Sequence, residues 1–208
     1  MVTMIDIEEF LPEVLQYAPN TSELVAQTHI VAVARELCDR CKIWRETDTF
    51  EIVTPAGQGL MSISNAEIVS IEEADMGGVP MEPVTVAWLD EHRPKWHTDT
   101  ATGQARYVTQ LNLNTVSVYP RQSGEMTARF VLKPARRATE LPDFLLQSYS
   151  DEIGKGAAGR IHTLPTENAV PQLGVTMTAW FEERLNKLST KTTRGQQGAP
   201  LRTKGRYF

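Results

Sequence analysis

The stretch ELCDRCKIWRETDTFEIVT, residues 36–54, contains the change in hydrophobic period that decides the fold class. Leading into this stretch, apolar residues recur at helical spacing from Ile30 through Leu37 and Cys41 to Trp44, which predicts one face of a long helix over residues 22–44. At its end, residues 49–54 alternate between apolar and polar, which predicts a strand. A helical region therefore gives way to a β region here.

The β region is predicted to occupy residues 49–138. About six short strand patterns fall between residues 49 and 134. Gly77 and Gly78 predict the turn of a hairpin over residues 66–81. One short helix, over residues 84–96, is predicted to stop at Pro94. This density of short strands indicates a small antiparallel β domain.

Helical patterns return after the strands. Residues 141–165 place Pro142 near the first helical turn, and residues 170–189 place Val175, Glu182 and Leu185 at approximate helical spacing. We therefore expect an α+β protein, in which N-terminal helices (1–48) and C-terminal helices (139–190) form a helical bundle and the β domain is inserted between them. Residues 191–208 carry no helix or strand pattern and are expected to form an extended arm.

The composition is that of a soluble globular chain, with 208 residues, 41% hydrophobic and 23% charged. Apolar runs are far shorter than the roughly 20 residues of a membrane span, and the first ten residues lack a signal-peptide pattern. Cys38 and Cys41 are the only cysteines, too few for a disulfide framework. We expect an intracellular origin in a reducing compartment and no contact with membranes.

Charge is divided unevenly along the chain. Residues 191–208 hold five basic residues and no acid, whereas residues 1–190 hold 16 basic residues and 26 acids, a net charge of −10. An acidic body binds nucleic acid poorly, but the basic arm could bind nucleic acid or an acidic protein surface. Arg206, Tyr207 and Phe208 are residue types that anchor protein interfaces, which favours a docking arm over a solvated terminus.

Three motifs contain residue types that can form a chemical site. The C-x-x-C pair Cys38–Cys41 lacks further metal ligands at suitable spacing and lies near the end of its helix, so a structural core role is predicted. GKGAAGR, residues 154–160, lies inside a helical pattern and not between a strand and a helix, unlike a phosphate loop. The cluster Asp90, Glu91, His92 and His97 is typical of a solvated turn. We predict no catalytic residues, no cofactor, no metal site and no enzyme.

Small residues predict close helix packing instead. A glycine within a helix costs about 1 kcal/mol relative to alanine, and close approach of a second helix is the expected compensation. Gly154, Ala157 and Ala158 are therefore predicted as packing residues, together with Trp180 of the following helix.

Several pieces, taken in order, resemble a family of tailed-bacteriophage neck proteins, the head-to-tail adaptors or connectors. The opening LPEVLQYAP has the Leu-Pro-x-Val-x-x-x-x-Pro form typical of the family, and Cys38 to Trp44 resembles its Cys-x-x-Ser-x-x-Trp segment, with Cys41 where Ser is common. Residues 80–96, 103–134 and 141–165 resemble its mid-chain element, paired strands and Gly-Ala helix. The resemblance covers almost the whole chain.

The resemblance implies a virion structural protein of the neck, made in the host cytoplasm. Its copies would form a homo-oligomeric ring, usually a dodecamer, below the portal protein, and would join the capsid to the next tail or nozzle protein. Genomic DNA would pass through the lumen during packaging and ejection without specific binding. Two alternatives stay open: a stopper or tail-completion protein one ring lower, and a nucleic-acid-binding accessory protein that uses the basic arm.

In this family a C-terminal extension reaches the portal. The resemblance therefore implies a portal-docking arm, in which basic residues meet an acidic surface and the two terminal aromatic residues act as plugs. The residues expected to carry this contact are Arg194, Leu201, Arg202, Lys204, Arg206, Tyr207 and Phe208.

Overall fold

The change of period corresponds to a helix end followed directly by a strand. The helix α2 (Glu23–Cys41) ends at Lys42, which adopts a left-handed conformation (φ 50°, ψ 41°) and donates its backbone N–H to the carbonyl of Cys38. The strand β2 (Trp44–Ile52) then begins. The prediction that Trp44 closes the helical face was wrong, because the left-handed cap at Lys42 redirects the chain before Trp44 is reached.

The structure is a computed structural model that describes residues 2–53, 56–100 and 102–193. A 3₁₀ turn (Ile7–Phe10) precedes α1. The remaining elements, in chain order, are β1 (Met4–Asp6), α1 (Leu11–Leu15), β3 (Gln58–Leu60), β4 (Ala66–Met76), β5 (Val79–Pro83), α3 (Val86–His92), β6 (Tyr107–Asn112), β7 (Thr115–Tyr119), β8 (Gly124–Pro134), β9 (Glu140–Pro142), α4 (Asp143–His162) and α5 (Pro171–Thr193).

The chain divides into two compact units. The barrel unit comprises Val2 and Trp44–Ala138, and the bundle unit comprises Thr3–Ile43 and the described residues from Thr139 onward. The α+β class is confirmed, with five helices and a large sheet among the described residues.

The barrel unit contains one seven-stranded sheet in the order β2-β8-β4-β5-β6-β7-β3. A bridge between Val53 and Gln58 brings β3 back beside the end of β2, so the sheet is nearly closed. The expectation of a small antiparallel β domain is confirmed only in part: most strand pairs are antiparallel, but the sheet has seven strands, and β5 and β6 pair in parallel. A parallel pair needs a long crossover connection, and the segment that contains α3 provides it. The predicted hairpin at Gly77 and Gly78 is confirmed.

Close backbone approach helps to close this sheet. A Cβ atom placed on Gly59 of β3 would lie 2.7 Å from the carbonyl oxygen of Glu51 and 2.7 Å from Cδ1 of Ile52, so only glycine fits there. Phe50 and Phe130 stack with ring centroids 6.2 Å apart. The fully buried large residues of this unit are Trp44, Ile52, Leu89, Met126, Phe130 and Leu132.

The bundle unit packs α1, α2, α4 and α5 together, so the predicted association of N- and C-terminal helices is confirmed. Helix α4 begins at Asp143, two residues later than expected, because Leu141 and Pro142 pair with β1 as the strand β9. Helix α5 extends to Thr193, so its last three residues are the first three of the predicted arm. Of the residues used to define the helical spacing of α5, Leu185 is fully buried, whereas Val175 is 61% exposed.

Candidate functional site

The Gly-Ala segment of α4 lies at the centre of the bundle unit. Ala157 and Ala158 are fully buried, and a Cβ on Gly154 would lie 2.4 Å from the carbonyl oxygen of Glu13 in α1. A Cβ on Gly156 would lie 2.9 Å from Val33 of α2 and 3.1 Å from Phe181 of α5. Three helices therefore reach α4 at the small residues of this segment.

Glycines also let α4 and α5 meet near the loop that joins them. A Cβ on Gly159 would lie 3.0 Å from Oγ1 of Thr178, and a Cβ on Gly174 would lie 3.0 Å from the carbonyl oxygen of Gly159. Gly154 was among the residues predicted to pack closely, whereas Gly156, Gly159 and Gly174 were not. On α5, the four-residue spacing of the small residues Gly174 and Thr178 was the available signal.

Trp180 is half-buried on α5, and its ring is covered by cations. Nζ of Lys155 lies 4.5 Å from the ring centroid, and Cζ of Arg184 lies 5.8 Å from it. Arg184 also donates from Nε (2.9 Å) and Nη2 (2.6 Å) to one carboxylate oxygen of Glu152, which is 3% exposed. Trp180 and Glu152 together hold Arg184 in place.

A second ionic group joins α2 to α4 and α5. Arg40 donates to Glu36 (3.1 Å) and to Glu182 (2.7 Å), and Arg160 pairs with Glu36. The hydrogen bonds that Arg40 donates to Glu182 and Glu36 raise the pKa of Arg40 above its usual value. Complete pairing of this kind is typical of a structural seam, because no charged group in it is left for a ligand.

Cys38 and Cys41 are buried free thiols in the bundle core, as predicted. Burial raises the pKa of Cys38, and burial raises the pKa of Cys41 to about 11. The Sγ atom of Cys41 contacts the carbonyl of Leu185 at 3.6 Å. Both groups are protonated thiols at neutral pH, so neither has the thiolate character that redox or metal chemistry needs.

The residues of the WLDEHRPKWH segment serve as local partners in the barrel unit. Asp90 accepts a hydrogen bond from Nε1 of Trp96 at 2.8 Å. The imidazole of His92 stacks on Trp88, with ring centroids 4.3 Å apart, and its Nδ1 lies 3.9 Å from Glu91.

His97 has a different neighbour, since it meets Trp96 edge-on at 5.9 Å. Asp90, Glu91, His92 and His97 are all exposed. Within residues 2–53, 56–100 and 102–193, no group of three or more His, Cys, Asp or Glu side chains is arranged to hold a metal ion.

Exposed apolar side chains are the next candidates, as docking surfaces. In the barrel unit, Leu60 (65% exposed) ends β3 and pairs with Thr115, two residues from Leu113 (63% exposed) at the β6–β7 turn. In the bundle unit, Leu24 (74% exposed) lies in the first turn of α2, and Val170 is half exposed just before α5. These apolar side chains are exposed in the single chain and contribute no buried surface to its folding. We therefore take them as candidates for contacts with other proteins.

A groove adjoins the exposed apolar residues of the bundle unit, and we call it the loop-end groove. It lies between the loop that precedes α2 and the loop that joins α4 to α5, and its volume is about 210 Å³. Its lining residues are Ala18, Pro19, Asn20, Thr21, Ser22, Val25, Ile161, His162, Leu164, Thr166, Asn168 and Ala169.

His162 fixes the shape of the loop-end groove. Its Nδ1 accepts the backbone N–H of Val170 (3.2 Å), so its Nε2 carries the proton and donates to the carbonyl of Tyr17 (3.0 Å). The side chain is 5% exposed. One buried imidazole thus ties both loops together through its neutral form.

The predicted docking residues of the arm, from Arg194 to Phe208, lie outside the described residues. Among the described helices, none combines the length and apolar character that a membrane crossing requires. A scan against protein-family models gives no match for this chain, and a search of curated proteins gives none either.

Proposed function

We propose that this chain is a virion structural subunit of a tailed bacteriophage, a head-to-tail adaptor whose copies form a ring below the portal. In this proposal the ring, usually of twelve copies, joins the capsid to the next tail protein. It lets genomic DNA pass and catalyses no reaction. The proposal extends the resemblance of the sequence to neck proteins.

One observation carries the proposal. The pieces on which the resemblance rests lie far apart in the sequence, yet several of them pack against each other in the bundle unit. Leu11 and Val14 of the Leu-Pro-x-Val opening are buried, and α1 contacts the Gly-Ala helix at Gly154. Cys38 is buried in the same unit. The resemblance therefore follows a set of mutually dependent packing residues, which supports a shared fold.

The surface properties agree with an assembly subunit. The exposed leucines of the barrel unit and the exposed apolar residues of the bundle unit supply side chains for contacts between copies. The net charge of −10 over residues 1–190 would repel DNA phosphates, so a duplex could slide past without being held. A neutral or positive potential measured along the lumen would remove this part of the proposal.

The arm is the proposed contact with the portal. Residues 191–208 carry five positive charges and three large apolar side chains, Leu201, Tyr207 and Phe208. A segment that orders on binding gives up about 2–5 kcal/mol of its interaction energy. A ring offsets this loss because each docked arm raises the effective concentration of the next.

Electron microscopy of the purified protein mixed with its portal tests the proposal. We expect a ring of density below the portal for the full chain and its loss on deletion of residues 201–208, with the helical signal in circular dichroism unchanged. A matched variant, Tyr207→Ser with Phe208→Ser, keeps the charge and should weaken attachment strongly. Normal attachment of the deletion variant would show that the arm is not the anchor.

The basic arm also favours a second candidate, a nucleic-acid-binding accessory protein. A salt titration with a DNA duplex distinguishes the two functions. Phosphate contacts give an affinity that falls steeply with salt, with a slope that reports their number. An adaptor should bind the duplex weakly, and arm deletion should change portal attachment more than DNA affinity. Tight, salt-sensitive DNA binding without portal attachment would favour the accessory protein.

A further inference from the structure

We propose that the loop-end groove binds residues 194–208 of a second copy of this chain. The inference rests on the proposed function only for the presence of neighbouring copies. Contact with the groove and contact with the portal are then alternative uses of the same arm. The first would hold copies together before a portal is present.

The size of the groove favours a protein side chain as its occupant. Its volume is about 210 Å³, below the roughly 300–1,000 Å³ of sites that enclose small molecules. Its walls include Val25, Ile161 and Leu164. One large apolar side chain would fill such a space, and the arm offers Leu201, Tyr207 and Phe208.

The rim of the groove extends its apolar surface. Leu24 is 74% exposed and directly precedes the wall residue Val25, and Val170 is 49% exposed and directly follows the wall residue Ala169. An arm that continued from the groove along either loop would contact one of these exposed side chains. The same contact would therefore bury apolar surface that the single chain leaves in water.

Charge complementarity favours this basic arm over a neutral or acidic segment. Residues 18–25 and 161–170 contain two acids, Glu23 and Glu167, and no Lys or Arg. Both carboxylates belong to exposed residues. Arg160, which directly precedes the groove wall, is paired with Glu36. Residues 194–208 carry four basic residues and no acid, so opposite charges meet at the rim.

Chain length favours a second copy over the same copy. Helix α5 begins at Pro171, next to the groove, and ends at Thr193, about 33 Å further along its axis. Leu201 is the eighth residue after Thr193, so it reaches at most about 28 Å and cannot return to its own groove. Tyr207 and Phe208, 14 and 15 residues after Thr193, have a reach of roughly 50 Å and so span the distance to either groove. A second copy can receive any of the three side chains, whereas the same copy cannot receive Leu201.

A complementation experiment without portal tests the inference. The arm variant lacks residues 201–208, and the groove variant carries Glu23→Lys and Glu167→Lys. Sedimentation velocity over a concentration series should show association of the full chain, and roughly tenfold weaker association of each variant alone. An equal mixture of the two variants should recover a heterodimer, because each supplies the part that the other lacks.

A matched control separates local contact from net charge. Glu8→Lys with Glu9→Lys makes the same charge change at exposed residues of the same unit and should leave association unchanged. Circular dichroism establishes that every variant is folded. Undiminished association of the groove variant, failure of the mixture to recover, or a full chain that stays monomeric at every concentration would each overturn the inference. Attachment to the portal is measured in a separate experiment. A failure of association between copies would therefore overturn this inference without deciding the proposed function.

Discussion

The barrel unit and the bundle unit reach close packing by opposite means. The barrel unit fills its interior with large side chains on long paired strands, and Phe50 and Phe130 stack on the neighbouring strands β2 and β8. In the bundle unit, helices approach each other closely at residues without a side chain, namely Gly154, Gly156 and Gly159. This unit also joins its helices through ion pairs, Arg40 with Glu182 and Arg184 with Glu152. The first arrangement is sensitive to lost volume, and the second is also sensitive to added volume.

The largest expected effect comes from removing one large core side chain in each unit. Phe130→Ala in the barrel unit and Phe181→Ala in the bundle unit should each lower the free energy of unfolding by about 3–5 kcal/mol, because each leaves a cavity. Hydrogen exchange measured by mass spectrometry should show the weakened amides in the unit that carries the substitution. Equal loss of protection in both units for both variants would contradict the separation of their cores.

Adding a methyl group to one glycine in each unit should change the stability of the two units by clearly different amounts. Gly154→Ala places a Cβ 2.4 Å from a backbone oxygen, so we expect a loss near the upper end of about 1–3 kcal/mol. Gly103→Ala in the barrel unit, where the nearest atom is 4.0 Å away, is the matched control and should change stability by less than about 0.5 kcal/mol. Thermal unfolding measures both. Similar values for the two variants would refute the close approach of α1 and α4.

The ion pair between Glu152 and Arg184 should have an intermediate effect. Arg184→Met leaves the buried carboxylate of Glu152 without its partner, which costs about 1–3 kcal/mol. The 42% exposure of the Arg184 side chain lets water compensate in part. The double variant Glu152→Gln with Arg184→Met should recover most of the loss, since no charge is left buried. A double variant less stable than Arg184→Met alone would show that Glu152 has a further role.

The smallest expected effect is a pH dependence that arises at His29. Burial, and then the nearby Arg160, lower the pKa of His29 below its usual 6.5. The unfolded chain therefore binds more protons than the folded chain below that pH, so stability should fall as the pH drops through about 6.5. Urea midpoints at neutral and mildly acidic pH should differ less in His29→Gln. An unchanged difference would assign the effect to another group.

Features that depend on local sequence were predicted correctly, whereas features that depend on distant segments were not. Alternation over residues 49–54 and the Gly77-Gly78 turn predicted β2 and the β4–β5 hairpin, because period and turn chemistry are local properties. The parallel pairing of β5 with β6 was missed, since it depends on where the chain returns after α3. Trp44 matched a helical period and a strand equally well, and the backbone of Lys42 decided between them.

The same division holds for the candidate sites. Gly154 was expected to pack closely because an interior helical glycine is unfavourable by itself, but its partner, the carbonyl of Glu13, lies in a distant part of the sequence. Val175 fits the helical spacing of α5 and is nevertheless exposed, because a helical period defines a face without stating what covers it. The loop-end groove had no sequence signal, since its two walls are separated by more than 130 residues.

The sequence by itself determined the α+β class, the burial of the two cysteines and the uneven charge between arm and body. These properties follow from hydrophobic period, residue chemistry and charge count, which each segment carries locally. Only the tertiary structure decided that the sheet nearly closes, that the Gly-Ala helix is approached by three others, and that a groove forms between two loops. Those features depend on pairings between distant segments, and their free energy appears only when both partners are in place.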